Sequence, residues 1–323
     1  MRGYIDLHCD TLMTACLAGK NDIGHLDGAM ADLERLRKGG CLAQFFAIFM
    51  LPESEKHLLE PALMDDAAYI AKLREILLET IKLHPEALAL AGNFEELEAN
   101  RKCGKTSAFL TLEDGRAVDG KLENLERFHE LGVRLISLTW NGANCFGAPN
   151  SPDPAIMKQG LTSFGKDAVA RMGELGIIVD VSHLSDGGFW DVADICKVPF
   201  VASHSNCRAL APHRRNLTDE MIRALADKGG VAGLNFAAPF LSEEPASTAE
   251  RLAVHARHLA DKGGVDCVAI GSDFDGISKD IEIDHPEKMG LLFDALARHG
   301  FSEDEIDKAA SLNALRVIRE TLK

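Results

Sequence analysis

Eight short apolar runs, rich in β-branched residues and mostly separated by stretches with helical spacing, limit how this chain can fold. They are GYIDLHCD (3–10), LAQFFAIFM (42–50), SAFLTLED (107–114), VRLISLTW (133–140), GIIVDVSH (176–183), VPFVASH (198–204), GGVAGLNF (229–236) and DCVAIGSD (266–273). Near-continuous hydrophobicity marks strands buried on both faces, as in a parallel sheet. Helix-period segments follow most of them, at 64–83, 120–131, 164–175, 217–228, 247–262 and 286–299. The last segment, 302–323, opens on Ser302 and Glu305 in capping-box spacing. Strand and helix alternating eight times predict an α/β chain closed into a (β/α)8 TIM barrel. A doubly wound open sheet is the alternative, but no glycine-rich dinucleotide fingerprint accompanies the alternation. No stretch reads as a linker, so the expected organisation is one domain over residues 1–323.

The balance of charge narrows the partners. Apolar residues make up 46% of the chain and charged residues 26%, with a net charge of −15. That balance argues against nucleic acid and an anionic membrane surface, both of which demand a basic face. No apolar stretch is long enough to span a bilayer, and the start lacks the apolar core of a signal peptide. The eight cysteines form no Cys-x-x-Cys pair and several sit in strand-like context, which predicts reduced thiols and a cytoplasmic protein.

Chemistry gathers where the predicted strands end. His8 and Asp10 close the first, Glu113 the third, Asp180 and His183 the fifth, His204 the sixth and Asp273 the eighth. Residues two apart on a strand point to one side, so His8 and Asp10 converge. In a parallel barrel every such end lies on the C-terminal face, where active sites are built. Singly, each residue has a plainer reading: a core histidine, a loop acid, a helix cap. Jointly they predict a metal site. Imidazole nitrogen and carboxylate oxygen without thiolate suit Zn²⁺, Mn²⁺ or Co²⁺. The five residues His8, Asp10, Glu113, His183 and His204 exceed the needs of one catalytic zinc and suffice for two if Glu113 bridges. Two such ions can hold a bridging hydroxide and polarise a carbonyl. Asp273, if it stays off the metals, is placed to move the proton to the leaving amine.

At this level the chain resembles the membrane (renal) dipeptidase family of zinc peptidases, especially its bacterial members. The resemblance runs through DLHCDT, LAQFFAIF, LTLEDG, GVRLISLTWN, LTSFGKDAVARMGELGIIVDVSHLS, SHSNCRAL, HRRNLTDE and GSDFDG, and is weakest over 51–105. It implies His8, Asp10 and Glu113 on one Zn²⁺, and Glu113, His183 and His204 on a second. It further implies Asp273 as the proton-transfer residue and Arg215 as the holder of a dipeptide's terminal carboxylate, a task suited to a planar cationic fork. Relatives commonly accept a D-residue on the C-terminal side of the bond and are often homodimers.

One departure stands in the substrate pocket. Where vertebrate members carry a histidine that steadies the tetrahedral intermediate, this chain has Trp140. Indole offers only an N–H donor, so Trp140 reads either as a changed substrate pocket or as a packing residue at the barrel mouth. Asp114, which replaces a more usual glycine, is a loop residue or an acid orienting a ligand. Asp180 is expected to face the interior near His183 and to hold a ligand's other ring nitrogen. Arg214 reads as surface, and His255 and His258 as an outer-helix pair. Two other functions share the donor set: a metal-dependent amide or ester hydrolase acting on N-acyl amino acids or lactones, and a non-catalytic metal-binding barrel. The run VRLISLTW offers no lysine to bridge metals, as many related barrel hydrolases have, and this favours the dipeptidase pattern.

Overall fold

The computed structural model describes residues 2–59, 64–244 and 246–323. Pro245, in the acidic stretch LSEEPAS (241–247), lies outside them. Among the described residues nine strands form one all-parallel sheet: β1 (Tyr4–Cys9), β2 (Cys41–Phe49), β3 (Leu88–Leu90), β4 (Thr106–Glu113), β5 (Val133–Ser137), β6 (Ile178–Asp180), β7 (Val201–Ala202), β8 (Val231–Leu234) and β9 (Val268–Ile270). Pairing of β2 with β4 and of β1 with β9 closes eight of them into a barrel. The eight barrel strands coincide with the eight apolar runs, so the chain forms a (β/α)8 TIM barrel. The ninth, β3, pairs only with the start of β4, Leu88 opposite Thr106 through Leu90 opposite Ala108. From Leu110 onward the same edge of β4 is taken by β5.

Register decides what stands at the mouth. Phe49 is paired with Glu113, Glu113 with Ser137, and Ser137 with Asp180. Directly paired residues point their side chains the same way, so one row of the barrel carries Glu113, Ser137 and Asp180 inward. On β1 the register to β2 shifts between Asp6 and Cys9. Irregularities of this kind re-aim side chains at barrel rims, and His8 lies inside it.

Below that row the interior is apolar. Phe45 stacks on Phe109 with ring centroids 4.6 Å apart. Ile5, Leu135, Ile178, Val201, Val231 and Ala269 join them in one buried cluster, which Val317 and Ile318 of the C-terminal helix Asn313–Thr321 complete. Each of the larger side chains contributes roughly 1.5–3 kcal/mol by leaving water, and the packed floor sets the donor-bearing row at the open end. Six of the predicted helical segments each hold an α-helix with ends within a few residues, among them Asp66–Leu83 and Ser163–Leu175. The seventh, 302–323, divides into Glu303–Asp307, one π-helical turn and Asn313–Thr321, and Ser302 and Glu305 do form the capping box. Among the described residues no helix is long and apolar enough to cross a membrane.

Candidate metal centre

All five predicted ligands and Asp273 meet at the C-terminal mouth. His8 Nε2 lies 3.4 Å from Asp10 Oδ2, 3.3 Å from Glu113 Oε2 and 3.7 Å from Asp273 Oδ1. On the other side of Glu113, Oε1 lies 3.1 Å from His183 Nε2 and 3.6 Å from His204 Nε2. The two imidazole nitrogens face each other at 3.1 Å. One carboxylate therefore presents one oxygen to His8 and the other to the His183/His204 pair. His8 also stacks on His204, centroids 4.0 Å apart. Asp273 is closer to the cluster than a remote proton carrier would be, since His8, Asp10 and Asp273 each place a donor atom within 4.8 Å of the others. Its other oxygen, Oδ2, accepts from Asn235 Nδ2 at 2.9 Å.

Several of these side chains are held in backbone conformations that non-glycine residues rarely adopt. His183 has φ +71°, Asp273 +63° and Asp275 +69°. Each costs on the order of 1–3 kcal/mol and persists only where the surroundings enforce it. The segment 142–160, which follows the fourth apolar run, does so for His183, because Asn150 donates its backbone N–H and its Nδ2 to the His183 carbonyl at 2.7 and 3.0 Å. Asp275 accepts from Thr11 Oγ1 at 2.7 Å and from the backbone N–H groups of Met30 and Ala31 at 2.6 and 3.2 Å, tying the loop before helix Leu33–Gly39 to the mouth.

Electrostatics shows what the cluster lacks. Burial pushes His8 toward its neutral form, yet Glu113 and Asp10 override that and hold its pKa well above the usual imidazole range. Burial and the neighbouring Glu113 carboxylate raise Asp10 to about 7, although His8 opposes them. Glu113 is itself burdened by burial, but His8 and His183 hold it well below the carboxylate range. Burial and Arg215 push His183 down, and burial, His8 and Arg215 push His204 well below the usual imidazole range, which favours neutral rings. Both ring nitrogens of His8, and Asp10 Oδ1, are buried without a hydrogen-bond partner among the described residues. A metal-free cluster that must keep a proton on His8 and share one on Asp10, beside the ionised Glu113 and orphaned donor atoms, is what a cation completes by displacing those protons. The residues fit a metal centre.

Trp140 and Arg215 line the same opening. A cavity of about 370 Å³ is bounded by Asp10, Glu113, Trp140, His183, Arg215 and Asp273 among others. Trp140 packs edge-on against Phe49 at 5.0 Å and lies 6.2 Å from the His183 ring, so it is both wall and packing residue. Arg215 is buried, donating Nη1 to Ser205 Oγ at 3.2 Å and Nη2 to the His204 carbonyl at 3.4 Å, while its Nε is without a partner among the described residues. Asp114 is buried and directed away from the donors, toward Arg116 and Asn144. Arg214 is exposed. His255 is a buried packing residue between Cys207 and Leu241, and His258 pairs with Asp219. Asp180 faces the interior but reaches His204, through Ser203, whereas His183 Nδ1 meets Asn141 Oδ1 at 3.3 Å. Asn141, Ser203, Asn235 and Gly276 were not singled out by the sequence reading.

Residues 3–323 match the membrane dipeptidase family, peptidase family M19. The chain belongs to this family. Its barrel superposes on a metallopeptidase from Rhodobacter sphaeroides bound to a phosphinate mimic of the dipeptide L-Ala-D-Ala, with a TM-score of 0.86, 28% identity and 99% of each chain covered. Dipeptidase verJ of Clonostachys rogersoniana is 31% identical over 90% of this chain and 75% of its own. Dipeptidase tcpJ of Claviceps purpurea is 27% identical over 99% of this chain and 74% of its own. Membership and the buried donor set make this M19 chain a metal-dependent dipeptidase.

The last residue of GSDFDG has its own part in the centre. A Cβ on Gly276 would collide with Asp10 Oδ2 and lie 2.6 Å from Asp273 Oδ1. Gly276→Ala is expected to displace both carboxylates and to lower kcat/KM roughly 100-fold, the scale of an ångström's misplacement. Thermal unfolding should change little, and the rate loss is read from dipeptide hydrolysis.

Proposed function

We propose that this chain is a zinc-dependent dipeptidase whose substrates include L-Xaa-D-Xaa dipeptides. The observation that carries the reading is the buried Arg215, with its unfilled Nε, in the same cavity as the donor cluster. Burial lowers its pKa to about 10 against the pull of Asp273 and Glu113, so it stays cationic at neutral pH. It also lies over the Phe240 ring at 5.4 Å. A fixed, partly unsatisfied guanidinium at this depth is a receptor for a planar anion, and a dipeptide's terminal carboxylate supplies one.

His8, Asp10 and Glu113 would hold one ion, and Glu113, His183 and His204 the second. Bound there, Zn²⁺ supplies a hydroxide nucleophile at neutral pH and polarisation of the scissile carbonyl. Arg215 anchors the C-terminal end of the substrate and fixes how deep it enters. Asp273, steadied through Oδ2 by Asn235, uses Oδ1 to take the proton of the attacking water and returns it to the leaving amine. Trp140 forms a wall of the substrate pocket with Phe49. The eight cysteines are all free thiols, which supports a cytoplasmic setting.

The test is amine release from a paired library, L-Xaa-L-Yaa against L-Xaa-D-Yaa, with zinc-loaded protein. The proposal expects cleavage in the D-series. Cleavage of the L-series alone removes the D-specific part, and no cleavage with ions bound removes the dipeptidase reading. Arg215→Ala should raise KM for free dipeptides roughly thirtyfold or more, the equivalent of about 2 kcal/mol for an unpaired charge. An equal effect on C-terminally amidated substrates would overturn the assignment of Arg215.

A further inference from the structure

Two buried aspartates, one on β1 and one on β6, are bonded to serines in the same way. Asp180 Oδ1 accepts from the backbone N–H groups of Ser182 and Ser203 at 2.9 and 2.8 Å, and Oδ2 from the hydroxyls of Ser137 and Ser203 at 2.5 and 2.6 Å. Asp6 Oδ1 accepts from the N–H of Ser272 at 2.9 Å and of His8 at 3.3 Å, and Oδ2 from the Ser272 hydroxyl at 2.6 Å. In each clamp the serine immediately precedes a residue of the donor cluster, His204 in one and Asp273 in the other.

Ser137 is an extra donor to Asp180, and the contact that separates the clamps in function is to a ring nitrogen. Ser203 Oγ lies 2.7 Å from His204 Nδ1, whereas among the described residues Ser272 Oγ meets only backbone besides Asp6: the Phe274 N–H at 3.2 Å and the His8 carbonyl at 3.5 Å. A serine hydroxyl has one proton to give. Ser203 gives it to Asp180, and its longer contact, Ser182 Oγ at 3.3 Å, is to a second hydroxyl. The bond to His204 must then run from ring to oxygen. Nδ1 carries the proton, and the Nε2 lone pair is turned toward Glu113 and His183.

We propose that Asp180 and Ser203 are positioning residues that set the tautomer of His204 as a metal ligand, while Asp6 and Ser272 hold the backbone alone. The ligand part rests on the metal reading above; the tautomer part does not. His183 has a weaker counterpart, a single neutral amide oxygen at 3.3 Å. The two histidines of the Glu113 pair are thus oriented unequally.

The sharpest variant is Asp180→Asn. Two backbone N–H groups claim the amide oxygen, so the Asn Nδ2 must face the serine hydroxyls and donate to them. Ser203 is then free to donate its proton to His204 Nδ1, and the ring proton moves to Nε2. In chelator-stripped full-length protein, long-range ¹H–¹⁵N spectra should show His204 as the Nδ1–H tautomer in wild type and Ser272→Ala. It should appear inverted in Asp180→Asn and mixed in Ser203→Ala. Chelator competition with Zn²⁺ should show one of two ions weakened roughly 10- to 100-fold in Ser203→Ala, the scale of lost outer hydrogen bonds to ligands. Ser203→Thr should restore it and Ser272→Ala should match wild type. An unchanged His204 tautomer in both Asp180→Asn and Ser203→Ala overturns the relay. If Ser203→Ala does not fold, Asp180→Asn and Ser203→Thr decide the same question. The tautomer contrast in a wild type that binds no zinc would uphold the relay and remove the metal reading instead.

Discussion

Glu113→Gln should abolish binding of both metal ions and reduce dipeptide hydrolysis by roughly three orders of magnitude or more. The side chain is buried, its two oxygens face separate groups of donors, and both groups depend on its charge. Glutamine keeps the shape but replaces one oxygen by an N–H₂ that points a proton at a nitrogen ligand. Lewis-acid stabilisation is worth several kcal/mol, and each ~1.4 kcal/mol is a factor of ten in rate. Elemental analysis gives the ion count and amine release gives the rate. A variant retaining two ions per chain would show that Glu113 does not bridge.

Asp273→Asn tests the second group. If Asp273 transfers the proton, the variant keeps both ions and loses roughly 10²- to 10⁴-fold in kcat, the usual worth of a positioned acid–base group. KM should change little, since Asp273 is not the anchor of the substrate. The structure sharpens this test, because Asp273 Oδ1 lies 3.7 Å from His8 Nε2, within the same donor group as Asp10. Loss of one ion in Asp273→Asn would make it a ligand. Retained activity would take it out of the chemistry.

The barrel was legible because its strands are apolar along their whole length, and that pattern survives without knowledge of the partners. The strand β3 was not. Its three residues sit in a short alanine–leucine run, ALALA (87–91), without the β-branched or aromatic residues that mark a strand, and they pair with the start of β4 and turn Leu90 to solvent. Helices such as Leu33–Gly39 and Phe94–Lys102 were missed for a related reason, since each buries few side chains on a short, polar segment. The donors were legible because each ends a strand, and a parallel barrel brings strand ends together whatever lies between them. What orients the donors was harder to read. Asp180 was expected near its sequence neighbour His183, but its partner across the sheet is Val201, and the chain running on from Val201 brings Ser203 and His204 to it. Ser203, Asn141 and Asn235 carry no periodic signal and owe their roles to pairing between strands. Gly276 matters only because two carboxylates press on it.

The central claim, that one buried cluster of three histidines and two carboxylates drives dipeptide hydrolysis through bound metal, is tested most directly by titration. Chelator-stripped protein is titrated with Zn²⁺ while hydrolysis of L-Ala-D-Ala and bound metal are followed in the same sample. The account predicts negligible turnover without metal and a rise that reaches its plateau at two ions per chain. Full metal binding with no turnover of any dipeptide, or turnover that survives the chelator unchanged, would contradict it.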